Sequence, residues 1–176
     1  DAGIEDAQAA ARHAAKGASR VQFAGVCSGG WYGACGARAV RADSVVMVNE
    51  LLWSLRIKKA LRALVVPGDN DVTDWEQTPR ARLRRSVQAH LPASVWRQLG
   101  RIGVAQAPEV LLAPLARHGS TSTVILCPED AKLFRANRGS EALQRLRASA
   151  APPQLVEVDA GDHAGFHQAV FVTLRQ

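Results

Sequence analysis

The sequence has 176 residues, of which 47% are hydrophobic and 22% are charged. This length suits a single globular domain, and this share of apolar residues excludes a disordered chain. The longest apolar runs stop well short of the ~20 residues that span a bilayer, so we expect no membrane segment. Three cysteines do not make the framework of a disulfide-rich domain, and they indicate a reducing compartment such as the cytoplasm.

The positive charge of the chain comes mainly from arginine. Basic residues outnumber acidic ones by 22 to 16, which gives a net charge of +6, and 18 of the 22 are Arg. Four of them stand close together, at Arg80, Arg82, Arg84 and Arg85. Such a cluster is usually a solvated helix face, and aromatic residues do not interleave with it as a base-stacking surface requires. The pattern does not favour nucleic-acid binding. An anion- or nucleic-acid-binding domain driven by this charge would lose affinity steeply as the salt concentration rises.

Helices and strands alternate along most of the predicted chain. In chain order they are a helix at 4–18, a strand at 21–26, a helix at 31–40, a strand at 44–48, a strand at 122–127, a helix at 139–148, a strand at 155–158 and a helix at 165–174. The short apolar strands are typical of a parallel sheet buried on both faces, and Gly17 closes the first helix. The predicted fold is therefore α/β, with a parallel sheet of about four strands, right-handed crossovers and flanking helices.

Residues 50–118 interrupt this alternation. They hold three of the four tryptophans, a Pro-Gly turn at 67–71 and the arginine cluster. We interpret the segment as a helical, lid-like insertion within one domain of residues 1–176. Its acidic residues at 69–74 resemble the start of a calcium loop, but Arg80 stands where the bidentate Glu belongs, which favours a plain turn.

The junction between the first strand and the next helix carries the most specific motif. Residues 25–30 read GVCSGG, which fits the pattern small–x–nucleophile–x–small of a nucleophile elbow if Cys27 is the nucleophile. Gly25 and Gly29 then take the two positions where the sharp turn crowds the backbone. Centring the motif on Ser28 would put a valine at the first of them. A helix N-terminus also favours the thiolate form of a cysteine, and the backbone N–H of Ser28 is the expected oxyanion-hole donor.

Two further polar positions follow later strands. Asp130 comes after the third strand and His163 after the fourth. Catalytic groups of open parallel sheets gather at the carboxyl ends of the strands, so we expect these side chains to converge with Cys27. Glu129 is the alternative to Asp130, and Asp162 is an alternative partner for the histidine.

No cofactor or metal is expected from the remaining motifs. The spacing of His163 and His167 suits zinc, but no Glu stands between them as in HExxH. The glycines at 25–36 do not make GxGxxG, and no Gly-Lys-Ser/Thr follows them. Cys35 and Cys127 are predicted core residues, which is also the plainer interpretation of Cys27.

On these residues the chain resembles the α/β-hydrolase superfamily. GVCSGGW is similar to the GxSxGG elbow with Cys in place of Ser, as in dienelactone-hydrolase-like members. TVILCPEDAKLF resembles the strand and loop that present the acid, with Asp130 in that place, and LVEVDAGDHAGF resembles those that present the base, with His163. The order nucleophile, acid, base is that of the superfamily, and the insertion stands where its members carry a lid.

The resemblance implies a hydrolase or acyltransferase acting on an ester or thioester. Cys27 would attack the carbonyl, His163 would transfer the proton and Asp130 would orient His163. Trp31, directly after the elbow, is expected to line the acyl pocket.

One departure from the superfamily bears on function. Its full members have more strands before the elbow, with a loop that supplies a second oxyanion donor, and this sequence starts one helix before the elbow. We therefore expect an exposed sheet edge, which is either covered by a partner chain or segment or belongs to a stand-alone half that is stabilised differently. The alternative function is a catalytically inert binding module on a truncated hydrolase scaffold.

Overall fold

A computed structural model describes residues 2–49, 86, 90–102, 107–136, 139–164 and 168–174. Its helices are α1 (Ala2–Ala14), α2 (Ser28–Val40), α3 (Ala93–Arg101), α4 (Pro108–Arg117), α5 (Pro128–Ala136), α6 (Gly139–Arg145) and α7 (Gln168–Leu174). Its strands are β1 (Gln22–Val26), β2 (Ser44–Val48), β3 (Thr121–Leu126) and β4 (Gln154–Glu157).

The strands form one parallel sheet in the order β1-β2-β3-β4. One row of paired residues crosses it from Val26 through Val48 and Ile125 to Val156. The predicted α/β class, with a four-stranded parallel sheet and flanking helices, is confirmed. Because all four strands run the same way, the residues that follow them lie along one edge of the sheet.

Side chains of the inner strands alternate between two apolar layers, as the period of a strand requires. Met47 and Val124 belong to the larger layer, which they form with residues of helices α2 to α6. Val48 and Ile125 belong to the smaller layer, together with Val170 of α7. Helices therefore cover both faces of β2 and β3.

The outer strand β1 is less covered than its apolar sequence predicts. Gln22, Ala24 and Val26 are exposed and the residues between them are half-buried. In the described part of the chain β1 pairs with β2 alone, and α7 covers the inner strands on this face. The prediction of a strand buried on both faces is wrong for β1, because an edge position leaves one face and one row of backbone groups open.

The small residues of α2 allow close helix packing. A Cβ atom on Gly36 would stand 3.2 Å from Ala11 of α1 and 3.2 Å from the Phe23 ring of β1. Helix α1 therefore lies directly on α2 at the point where α2 crosses β1.

The described part of the segment 50–118 is helical, in α3 and α4. Helix α4 packs in the larger apolar layer, where Leu111, Leu112 and Leu115 are all buried. It thus belongs to the body of the fold. The arginine cluster and the acidic turn at 69–74 lie outside the described residues, and the lid-like role of the segment stays a prediction.

The predicted bounds differ from the observed ones by a few residues. Helix α1 ends at Ala14, and Gly17 lies in the following turn with a left-handed φ of 75°. Strands β3 and β4 each lie one residue earlier than predicted. Among the described residues, none of the helices has the length and apolar character needed to cross a membrane.

Candidate active site

The chain turns sharply at Cys27, between β1 and α2. Its backbone has φ 52° and ψ −127°, a region that non-glycine residues rarely occupy. Two hydrogen bonds hold this conformation: the Cys27 N–H donates to the carbonyl of Val48 at 2.8 Å, and the N–H of Gly30 donates to the carbonyl of Cys27 at 2.9 Å. This strained turn places the thiol at the carboxyl end of β1, where Cys27 is half-buried.

The two glycines that flank Cys27 have different surroundings. A Cβ atom on Gly25 would overlap the backbone carbonyl of Gly29 and stand 2.6 Å from the nitrogen of Gly30. This confirms the predicted need for a residue without a side chain at Gly25. A Cβ on Gly29 would have no described atom within 4 Å, so the same expectation is wrong there.

Asp130 lies in the first turn of helix α5. The sequence prediction placed it in a loop, and that is a correction: the chain passes from β3 into a helix after a single residue, Cys127. A proline at the first helical position followed by two acidic residues is a helix-start pattern, and it was the available signal. The carboxyl side chain is buried, with 8% of its surface exposed.

His163 follows β4 and joins the other two side chains. Its Nδ1 lies 2.8 Å from Oδ1 of Asp130, and its Nε2 lies 3.1 Å from Sγ of Cys27. When the Asp130 carboxylate is ionised it only accepts hydrogen bonds, so Nδ1 then carries the proton and Nε2 is left to accept the thiol proton. The structure therefore brings the three predicted residues together in a Cys27–His163–Asp130 array that can move a proton from sulfur to nitrogen. The His163 side chain is 47% exposed, which leaves the array open to solvent.

The neighbouring residues considered as alternatives are placed elsewhere. Glu129 is exposed and forms an ion pair with Lys132 at 2.5 Å. Asp162 is exposed, and its backbone carbonyl accepts a hydrogen bond from Nδ2 of Asn49. Ser28 is exposed at the start of α2. His167 lies outside the described residues.

Burial and the hydrogen bond to His163 act in opposite directions on the pKa of Asp130. Loss of solvent raises the pKa of the carboxyl above its usual value of 3.8, and the hydrogen bond from His163 acts in the opposite direction. Its second oxygen, Oδ2, is buried and has no hydrogen-bond partner among the described residues. Asp130 thus directs a single oxygen at the histidine.

Sequence reasoning missed Asn49, the residue after β2. It is fully buried and has a left-handed φ of 49°. Its Nδ2 donates to the carbonyls of Asp162 at 2.8 Å and His163 at 3.0 Å, and its Oδ1 accepts from the N–H of Cys127 at 2.8 Å. A polar residue at the end of a buried strand was the signal that could have revealed it.

The other two predicted site features stay predictions. Ser28 is the first residue of α2, and its N–H has no acceptor inside the helix, as befits an oxyanion donor. Trp31 is half-buried and packs against the larger apolar layer. Cys35 and Cys127 are buried, and no disulfide joins any of the three cysteines, all of which lie in the described part of the chain.

A separate groove lies between β4 and α7. It has a volume of about 630 Å³ and is lined by residues of those two elements and of the loop after β4, among them Val156, Asp159 and Val172. None of the residues of the Cys27–His163–Asp130 array lines it. The groove is therefore separate from this array.

Comparisons with known proteins identify no relative. No family model, no curated protein and no solved structure matches this chain.

Proposed function

We propose that this chain is a hydrolase or acyltransferase of the α/β-hydrolase type, acting on an ester or thioester acyl substrate. The observation that carries the proposal is the Cys27–His163–Asp130 array, whose bonds of 3.1 Å and 2.8 Å join side chains from three separate strand ends. A nucleophile in contact with a base, and a base oriented by a third group, is the arrangement that covalent catalysis requires.

The first half of the proposed reaction transfers the acyl group to sulfur. Sγ of Cys27 attacks the carbonyl carbon while Nε2 of His163 accepts the thiol proton, and the carbonyl electron pair moves onto oxygen. The N–H of Ser28 donates to this oxyanion. The intermediate then expels its leaving group, which takes the proton from His163, and an acyl-thioester remains on Cys27.

The second half frees the enzyme. Water in a hydrolase, or another acceptor in an acyltransferase, attacks the thioester carbonyl and gives its proton to Nε2 of His163. The C–S bond breaks, and the sulfur recovers the proton from His163. Asp130 keeps Nδ1 of His163 protonated throughout, so that Nε2 faces the reaction. Because the sulfur must stay reduced, the proposal places the chain in the cytoplasm.

The bare edge of the sheet favours a second candidate, an inert binding module on a hydrolase scaffold. Val26 is 42% exposed beside Cys27, and the outer edge of β1 is unpaired within the described residues. In both candidates this edge is open to a partner chain or segment. They differ in whether the array turns over substrate.

Thiol labelling and acyl-ester turnover separate the two candidates. The experiment follows the alkylation of each cysteine by iodoacetamide, with peptide mapping, and the hydrolysis of a p-nitrophenyl ester and an acyl-thioester. We expect Cys27 to react first, and Cys27→Ala or His163→Ala to lower turnover by about 10²- to 10⁴-fold.

Matched controls sharpen this test. Glu129→Gln removes an exposed carboxylate next to Asp130. Cys35→Ala removes a buried thiol of helix α2, which starts directly after Cys27. Both variants should keep full activity. Asp130→Asn should lose activity. Equal, slow labelling of all three cysteines in the absence of turnover would favour the binding module.

A further inference from the structure

The side-chain amide of Asn49 lies where the segments carrying His163 and Asp130 meet. Its Nδ2 reaches the carbonyls of Asp162 and His163, at 2.8 and 3.0 Å, and its Oδ1 reaches the N–H of Cys127 at 2.8 Å. Its own N–H continues the sheet by donating to the carbonyl of Ile125 at 2.8 Å. The residue directly after β2 thus binds the base-carrying segment on one side and the acid-carrying strand on the other.

The chemistry of this position requires an asparagine. The two carbonyls need a donor and the N–H needs an acceptor, and a primary amide supplies both on one short side chain. A carboxylate would set negative charge against two carbonyl oxygens, and an aliphatic side chain would leave three backbone groups unpaired. The left-handed φ of 49° adds a preference for asparagine or glycine.

Two of these three bonds lead directly to the proposed site. One of the two carbonyls bonded by Nδ2 belongs to His163 itself. Cys127 is bonded to Asn49 through its N–H. Its carbonyl accepts a hydrogen bond from the N–H of Ala131 at 2.8 Å, so its backbone forms the start of the helix that carries Asp130. A shift at Asn49 would therefore change the distance between the imidazole and each of its partners.

We propose that Asn49 is a positioning residue that holds His163 in line with Asp130 and Cys27. The proposal rests on the proposed function, since the array it positions is the catalytic one. A displacement near 1 Å between reacting groups costs about 10²-fold in rate, so the effect is measurable.

The test compares two Asn49 variants with a matched control. Asn49→Gly keeps the left-handed backbone and removes the amide; Asn49→Asp keeps the acceptor for Cys127 and removes the donor for the histidine segment. Ser120→Ala is the control, because Ser120 is also buried and donates to a backbone carbonyl, that of Ala42 at 2.6 Å, at the opposite end of β3. Unfolding curves show how far each variant is destabilised.

The readout is the rate of Cys27 alkylation across a range of pH, alongside ester turnover. The part of this alkylation rate that depends on His163 is the difference between wild type and His163→Ala. That part reports the contact between Cys27 and His163. We expect both Asn49 variants to lower that part, and turnover, by about 10- to 100-fold, and Ser120→Ala to leave both unchanged at a similar loss of stability.

Two results overturn the proposal in different ways. If wild type and His163→Ala are alkylated alike and no ester turns over, the proposed function fails and the positioning role fails with it. If wild type differs from His163→Ala but the Asn49 variants behave as wild type, the positioning role alone fails. Should neither variant fold, hydrogen exchange of the Asn49 side-chain amide in the wild-type protein decides: slow exchange supports the bonds to both carbonyls, and exchange at the free rate contradicts them.

Discussion

Gly25 and Gly29 flank Cys27 symmetrically in the sequence, but the structure uses them differently. A side chain at Gly25 would meet backbone atoms of Gly29 and Gly30, which cannot move without changing the turn. Gly29 lies in the first turn of α2 and faces open space among the described residues. The sequence motif treats the two glycines alike, whereas the contacts in the structure require a residue without a side chain only at Gly25.

We predict that Gly25→Ala lowers the free energy of unfolding by about 1–3 kcal/mol, because the added methyl group overpacks a backbone crossing. Gly29→Ala is the matched control and should be neutral or stabilising by up to about 1 kcal/mol, as expected for alanine in a helix. Urea denaturation measures both. Equal losses in the two variants would mean that the turn is built differently.

The burial of Asp130 gives a prediction about pH. Its pKa lies above the usual 3.8, so the folded state holds the proton more tightly than the unfolded chain does. The stability that this proton contributes is complete below 3.8 and is lost as the pH rises through the higher, folded-state pKa. Asp130→Asn does not titrate and provides the reference.

We therefore expect the unfolding free energy of wild type, relative to Asp130→Asn, to fall as the pH rises from 3.8 through the folded pKa. Denaturation at a series of pH values measures this difference, in which most other titrations cancel. A difference that rises with pH would show that the bond to His163 outweighs burial.

At the scale of elements, α4 and α5 show what periodicity in the sequence did and did not determine. The sequence analysis places the residues of α4 in a helical insertion without assigning them a helix of their own, whereas the structure packs α4 in the larger apolar layer. Helix α5 went unpredicted because it is short and follows a strand directly, and a loop carrying Asp130 satisfies the same residues. The burial of a helix and the residue at which it starts depend on tertiary contacts, which the sequence of one segment does not reveal.

The position of α4 can be tested with a core deletion. Leu112→Ala should lower the free energy of unfolding by about 2–5 kcal/mol, since Leu112 is fully buried against the sheet layer. Val95→Ala, at a partly exposed position of α3, should change it by less than about 0.5 kcal/mol. A negligible effect of Leu112→Ala would make α4 a peripheral element after all.

At the scale of the whole molecule, the outer strand β1 is less buried than the inner strands of the sheet. Val26 and Val48 are paired neighbours in the register, yet Val48 is 2% exposed and Val26 is 42% exposed. Helix α7 reaches the inner strands and leaves β1 bare on that face. The candidate site therefore stands beside an open face of the fold.

This difference predicts opposite outcomes for the same substitution. Val26→Lys should change the free energy of unfolding by no more than about 1 kcal/mol, the span of strand propensities, because the ammonium group stays in water. Val48→Lys should cost more than about 4 kcal/mol, because it buries a charge without a partner. Denaturation and sedimentation velocity check both; a large loss for Val26→Lys would mean that another molecule covers β1 in solution.

The sequence by itself determined the local features of this protein. Apolar runs predicted the four strands, and the pattern around Cys27 predicted a crowded turn, because each depends on residues close together in the chain. Only the tertiary structure decided that Asp130, and not Glu129, faces His163, and that Asn49 joins their two segments. Those contacts join residues as far as 136 positions apart in the sequence, such as Cys27 and His163. Pairing of the parallel strands brings these distant residues together.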